Sequence, residues 1–176
     1  MSEKNDVLII GAGPSGMVTA LTACKYYPDK KITVIRSIEK GVVPCGIPYM
    51  FFSLKDPEEN KVGVQALEAK GVKVVCDEVL KIDRKNKKVI TGKGNEYGYE
   101  KLVIATGSKP IKPPIPGIDK KGVYFAYKDM NYLKTAVADM KLKKKILILG
   151  GGFIGVEFAD EISKMKNVKV YLAEVM

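Results

Sequence analysis

A chain of 176 residues that is 46% apolar and 28% charged can bury a core and lies near the globular average, which excludes the disordered and fibrous classes. Its net charge of +10 is a lysine excess spread over every polar segment, with only Arg36 and Arg84 as arginines, and that pattern reads as a solvated surface with no nucleic-acid partner. Three widely spaced cysteines without a CxxC pair, and no histidine, point to free thiols, no metal site and a reducing compartment, the cytoplasm.

In chain order, residues 6–10 form an apolar run of strand length, followed by GAGPSG, a helix over about 14–27 and a second strand over 31–36. The opening MSEKNDVLIIGAGPSG has an early acid and a short apolar run, so it reads as no secretory signal. No apolar stretch approaches the roughly 20 residues that cross a bilayer. Cys24 falls on the first helix among Ala20, Leu21 and Ala23 and reads as core. The next stretch, VVPCGIPYM, sets Cys45 between Pro44 and Gly46, ahead of Tyr49, Phe51 and Phe52.

Beyond it, DPEENKVGVQALEAKG predicts one helix, with Asp56 as N-cap, Pro57 at the first position, Glu59 completing a capping box and Gly71 as the stop. Residues 72–107 read as strands broken at Lys85-Asn86 and Gly94-Asn95, with Cys76 packing on the same face as Val72 and Val74. The proline-rich stretch 108–119 is the expected crossing between domains. It is followed by a helix near 128–140, a buried strand KILILG, the turn GGGFIG, a helix over about 154–165 and a strand VKVYLAE.

Gly11, Gly13 and Gly16 form GxGxxG between a strand and a helix, and Gly150, Gly152 and Gly155 repeat it in the same context. In such a loop the first glycine permits the tight turn, the second lets backbone approach a pyrophosphate, and the third lets helix pack on strand. Two copies in two strand-turn-helix-strand units predict two dinucleotide sites. In the second unit Glu174 ends the following strand, where it suits a free ribose hydroxyl and favours NADH over NADPH. In the first unit that position is Arg36. Either Glu39 takes the ribose, or Arg36 meets it from another angle, or the site accepts a phosphorylated ribose, or Arg36 is a surface residue at a strand end.

The two fingerprints, YEKLVIATGSKP ahead of the proline crossing, and the single cysteine of PCGIPY together resemble the flavin-dependent pyridine nucleotide-disulfide oxidoreductases. The resemblance runs over essentially the whole chain. Within the family it is nearest to the single-cysteine branch of NADH oxidases, coenzyme A-disulfide reductases and NADH-dependent persulfide or polysulfide reductases. It implies an α/β fold, with a Rossmann-like FAD-binding domain over 1–110 and the first half of a second Rossmann-like NAD(P)H-binding domain over 111–176. FAD is then expected on Gly11, Gly13, Pro14, Ser15 and Gly16, with Ala105, Thr106 and Gly107 closing over the flavin side. NAD(P)H is expected on Gly150, Gly152, Phe153, Ile154 and Gly155, with Glu157 towards the nicotinamide.

Residue chemistry and resemblance agree on Cys45 as the redox centre, because amides at a helix start favour a thiolate. Met50 stands where the dithiol branch has its second cysteine, so a lone thiolate would cycle through a mixed disulfide, a persulfide or a sulfenic acid. The oxidase members usually carry a histidine in the first glycine loop, where this chain has Pro14. That favours sulfur–sulfur reduction, with a small disulfide, a persulfide or a coenzyme A thiol as partner and oxygen as a slow acceptor. Tyr49 could line the sulfur pocket. Family members continue well past residue 176 and form homodimers, so the sequence reads as an N-terminal fragment, inactive alone. The competing expectation is a non-catalytic dinucleotide-binding module, which would be colourless where a flavoprotein is yellow.

Overall fold

The computed structural model describes residues 3–174. They divide into two compact units: residues 3–41 with 62–108, and residues 42–61 with 109–174.

In the first unit a six-stranded sheet has the order β3-β2-β1-β6-β5-β4. Strands β1 (Glu3–Ile10), β2 (Ile32–Arg36), β3 (Lys73–Cys76) and β6 (Glu96–Ile104) run parallel. Strands β4 (Val79–Asp83) and β5 (Lys88–Thr91) add antiparallel edges. Because side chains alternate along a strand, Leu8 and Ile10 face one side of β1 and Ile9 the other. Leu8 and Ile10 pack with Ile35, Val89 and Tyr97, and Ile9 with Ile32, Val34, Leu67 and Ala20 of α1 (Pro14–Tyr26). Sheet residues buried on both faces make the apolar run of a doubly covered parallel strand. Buried Thr33 donates to Asn5 Oδ1 at 2.7 Å and Asn5 donates to the Gly98 carbonyl at 3.1 Å, which pins the register of β2, β1 and β6.

The expected long helix after Asp56 is two pieces. The capping box forms as read, but it opens only a 3-10 turn, Pro57–Asn60. Lys61 then bridges to Val42 and the Val62 amide donates to Gly41 at 3.0 Å, so extended backbone separates that turn from α2 (Gln65–Glu68). A β-branched valine followed by Gly63 gives the helix little reason to continue. Cys76 also departs from expectation. It is the last residue of β3, paired with Arg36, and is exposed.

The second unit holds the parallel pair β7 (Lys145–Leu149) and β8 (Lys169–Ala173), with α3 (Met130–Met140) and α4 (Phe153–Ser163). Asp129 caps α3 by accepting from the Tyr132 amide at 2.9 Å. The core joins Met130, Leu133, Val137, Ile146 and Ile162 to Val42, Ile47, Met50 and Phe51. The strand read as buried is covered on one side only: Ile146 is inside, while Leu147 and Leu149 are more than half exposed. Among the described residues, no helix is long and apolar enough to cross a membrane.

Candidate functional site

The first glycine loop follows from β1 ending against α1. Gly11 takes φ +110°, a left-handed value that a side chain resists, and its amide donates to Ile35 at 2.8 Å. A Cβ on Gly11 would overlap the Ala105 carbonyl, and one on Gly16 would overlap the Gly11 carbonyl. These two glycines therefore let α1 and the end of β6 close on the turn. Gly13 instead faces open space, and as N-cap of α1 it makes no side-chain hydrogen bond. Open backbone at an uncapped helix start suits a pyrophosphate.

Ala105 is held beside this loop by its amide, which donates to Ile10 at 2.8 Å. Thr106 follows it and is exposed, and Gly107 turns the chain at φ +69°. Pro14 and Ser15 open α1. Arg36 ends β2 next to the strand that feeds the loop, and its Nε is buried without a hydrogen-bond partner. An orphaned donor in that place fits an acceptor oxygen of a bound dinucleotide. Glu39 lies exposed in the bend beyond, which leaves Arg36 as the residue at the strand's end.

The second loop repeats the construction. Gly150 takes φ +109° and donates to Ala173 at 2.8 Å, Gly155 lies against the Gly150 carbonyl, and Gly152 faces open space as an uncapped N-cap of α4. Glu174, just past β8, accepts a hydrogen bond from the Gly151 amide. The structure thus brings together the loop and the acid that the sequence pairs with it across more than twenty residues. Phe153 and Ile154 are largely exposed at the helix start, and Glu157 is exposed one turn on.

Cys45 sits exposed in a 3-10 turn, Pro44–Gly46. The helix-start amides expected to favour its thiolate are engaged elsewhere: Gly46 donates to Val43 at 3.0 Å and Ile47 to Pro44 at 3.2 Å, and the next 3-10 turn, Pro48–Phe51, begins with a proline. What the fold does provide is a fixed direction. Buried Asn60 donates from Nδ2 to the Val43 carbonyl at 3.1 Å and accepts from the Val43 amide, through its own carbonyl, at 2.9 Å. Asn60 Oδ1 lies so close to Gly46 that a Cβ there would overlap it.

Met50 and Phe51 are buried, whereas Tyr49 and Phe52 are nearly half exposed. Phe51 meets Phe158 of α4 edge-on at 5.1 Å. Ser53 donates to Glu161 from its amide and its hydroxyl, both at 2.9 Å, and Lys164 Nζ joins at 2.6 Å. Burial works to raise the Glu161 carboxyl, but these donors outweigh it and hold the pKa below the usual range. Lys164, bonded to Asp160 and Glu161, is pushed up. Asn60, Ser53 and Glu161 escape a motif search. The one trace is an acid beside the apolar residues Phe158 and Ile162 of α4, where a solvated residue has no place.

A family model described as pyridine nucleotide-disulphide oxidoreductase matches residues 5–176. The NADH oxidase of Lactococcus lactis is 35% identical over 96% of this chain and 40% of its own length. The NAD(P)H coenzyme A polysulfide/persulfide reductase of Pyrococcus horikoshii is 31% identical over 94% of the chain and 39% of its own length. Among solved structures, a water-forming NADH oxidase from Lactobacillus brevis superposes with a TM-score of 0.85 at 27% identity, covering 99% of this chain and 40% of that one. A persulfide reductase from A. fulgidus gives 0.85 at 27% identity, with 95% and 33% covered. The chain spans about 40% of the length of the curated relatives it matches.

Proposed function

The chain belongs to the pyridine nucleotide-disulphide oxidoreductase family, and from that premise we propose that it carries the first glycine loop, the redox cysteine and the second glycine loop of an NADH-dependent flavoprotein that reduces sulfur–sulfur bonds. The observation that carries the reading is the pair of loops built alike, each with a first glycine at positive φ, an open second glycine and an uncapped helix start. FAD is assigned to Gly11, Gly13, Pro14, Ser15 and Gly16, with Arg36 offering its free Nε to the adenosine end and Ala105, Thr106 and Gly107 on the flavin side. NADH is assigned to Gly150, Gly152, Phe153, Ile154 and Gly155, with Glu157 further along α4.

When bound, the flavin relays two electrons between nicotinamide and sulfur. The residues of this chain bind and orient. Open amides at each helix start hold pyrophosphate, and the Asn60 clamp holds Cys45 outward on its turn. Cys45 attacks an acceptor RSSR′ as thiolate, forms a mixed disulfide and releases one thiol; two electrons then return Cys45 to thiolate and free the second. Over one cycle, NADH, a proton and RSSR′ give NAD+ and two thiols. Coenzyme A disulfide, a persulfide or a polysulfide fits this balance, and relatives named for coenzyme A and polysulfide support the class.

Glu174 supports NADH over NADPH, since a carboxylate accepts from a ribose hydroxyl and repels a 2′-phosphate. A solved NADPH oxidase bound to NADPH was engineered from an NADH oxidase by substitutions that include aspartate to alanine and alanine to arginine, which is the same logic reversed. The test is to purify the protein expressed from its full reading frame, look for a flavin band and follow NADH consumption with coenzyme A disulfide. Yellow protein with disulfide-dependent turnover that Cys45→Ser abolishes is the expected result. Colourless protein would return the non-catalytic reading.

A further inference from the structure

Helix α4 begins at the second glycine loop, with Gly152 as its N-cap and Gly155 closed against Gly150. Nine residues past that cap, about 13 Å along the axis, the same helix carries Glu161, which is only 2% exposed. Its carboxylate takes both donors of Ser53, at 2.9 Å each, and the ammonium of Lys164 at 2.6 Å. One turn earlier, Phe158 packs on Phe51. Cys45, Phe51 and Ser53 share one short stretch whose two consecutive 3-10 turns leave little slack.

Stability alone does not call for a carboxylate here, because replacing a buried ion pair by apolar side chains of similar volume is often neutral. The forked bond to Ser53 does something an apolar residue cannot. It fixes the distance and angle between the helix and the thiol-bearing stretch. We propose that Glu161 is a positioning residue that couples the second glycine loop to Cys45 through α4. The inference rests on the reading of that loop as the NADH site and of Cys45 as the reactive thiol. A ligand held by the loop amides fixes the first turn of α4, the helix carries that constraint to Ser53, and the 3-10 turns carry it to Cys45.

The test reads iodoacetamide alkylation of Cys45 by mass spectrometry over a neutral-to-alkaline pH series, with and without saturating ADP-ribose, in the protein expressed from its full reading frame. ADP-ribose offers the adenosine and pyrophosphate groups but no hydride, so flavin reduction does not enter. In the wild type the ligand should change the Cys45 rate by about fivefold, a common size for coupling between sites. Glu161→Ala should abolish that change while leaving ADP-ribose affinity intact, and Glu161→Gln, which keeps one acceptor oxygen, should restore part of it. Should Glu161→Ala fail to fold, Ser53→Ala removes only the hydroxyl bond and should show a reduced effect. A wild-type rate indifferent to ADP-ribose, or variants that respond as fully as the wild type, would overturn the proposal. Preferential labelling of Cys76 would overturn the Cys45 assignment instead, with the ligand response of Cys45 still measured separately.

Discussion

Cys45 owes its presentation to two neighbours that carry no redox chemistry. Gly46 is glycine because Asn60 Oδ1 fills the space a Cβ would need, and Asn60 in turn grips Val43 from its side chain and its backbone. Gly46→Ala should therefore cost about 1–3 kcal/mol by overpacking and slow disulfide-dependent turnover, with NADH affinity unchanged; urea unfolding and steady-state kinetics read the two effects. Asn60→Ala should cost a similar amount, since it leaves the Val43 carbonyl without its donor. Both Cys45 and Cys76 are exposed, so exposure alone does not separate them. Timed alkylation should label Cys45 first, and faster labelling of Cys76 would count against the assignment. At the second loop, Glu174→Ala should narrow the preference for NADH over NADPH, read as the ratio of kcat/KM for the two; an unchanged ratio removes Glu174 from that role.

The glycine loops were legible in the sequence because each glycine answers a local demand, a positive φ at Gly11 and Gly150 and a close carbonyl at Gly16 and Gly155. Gly155→Ala should accordingly separate α4 from β7 and lower the urea midpoint, whereas Gly152→Ala, which meets open space in the fold, should leave the midpoint unchanged and weaken NADH binding by crowding the pyrophosphate. The helix after Asp56 was misread for the opposite reason. Its start signal is local and real, whereas its early end is set by Lys61 and Val62 bridging back to Val42 and Gly41, a partnership no window of sequence contains. Strand β7 reads as buried because Ile, Leu, Ile and Leu follow one another, yet only one of its faces meets a helix. Glu161 escaped for a related reason, since its partner Ser53 lies 108 residues away.

On the scale of the whole molecule, several carboxyls sit below their ordinary range: Glu3 through Lys73 and Lys31, Asp139 through Lys143, and Glu161 through its three donors against the pull of burial. A group whose folded pKa lies below its unfolded value contributes stability above the unfolded pKa, about 4.3 for a glutamate, and loses it as the pH falls through the folded value. Acid should therefore lower the urea midpoint, and the gap between wild type and Glu161→Gln should close below that pH. A gap that is constant with pH would mean that Glu161 is not ionised in the fold.

The stretch 42–61 belongs to the second unit although residues on both sides of it belong to the first. The chain therefore passes between the units three times, and Val42, Ile47, Met50 and Phe51 are built into the core around α3 and α4. A protease that nicks the proline-rich stretch 109–119 would cut only one of those passages. The N-terminal piece would keep four side chains inside the other piece's core, so the nicked halves should co-elute under native conditions and part only in denaturant. Expressed as two polypeptides divided there, they should find each other, which makes that stretch a natural split point for a complementation reporter.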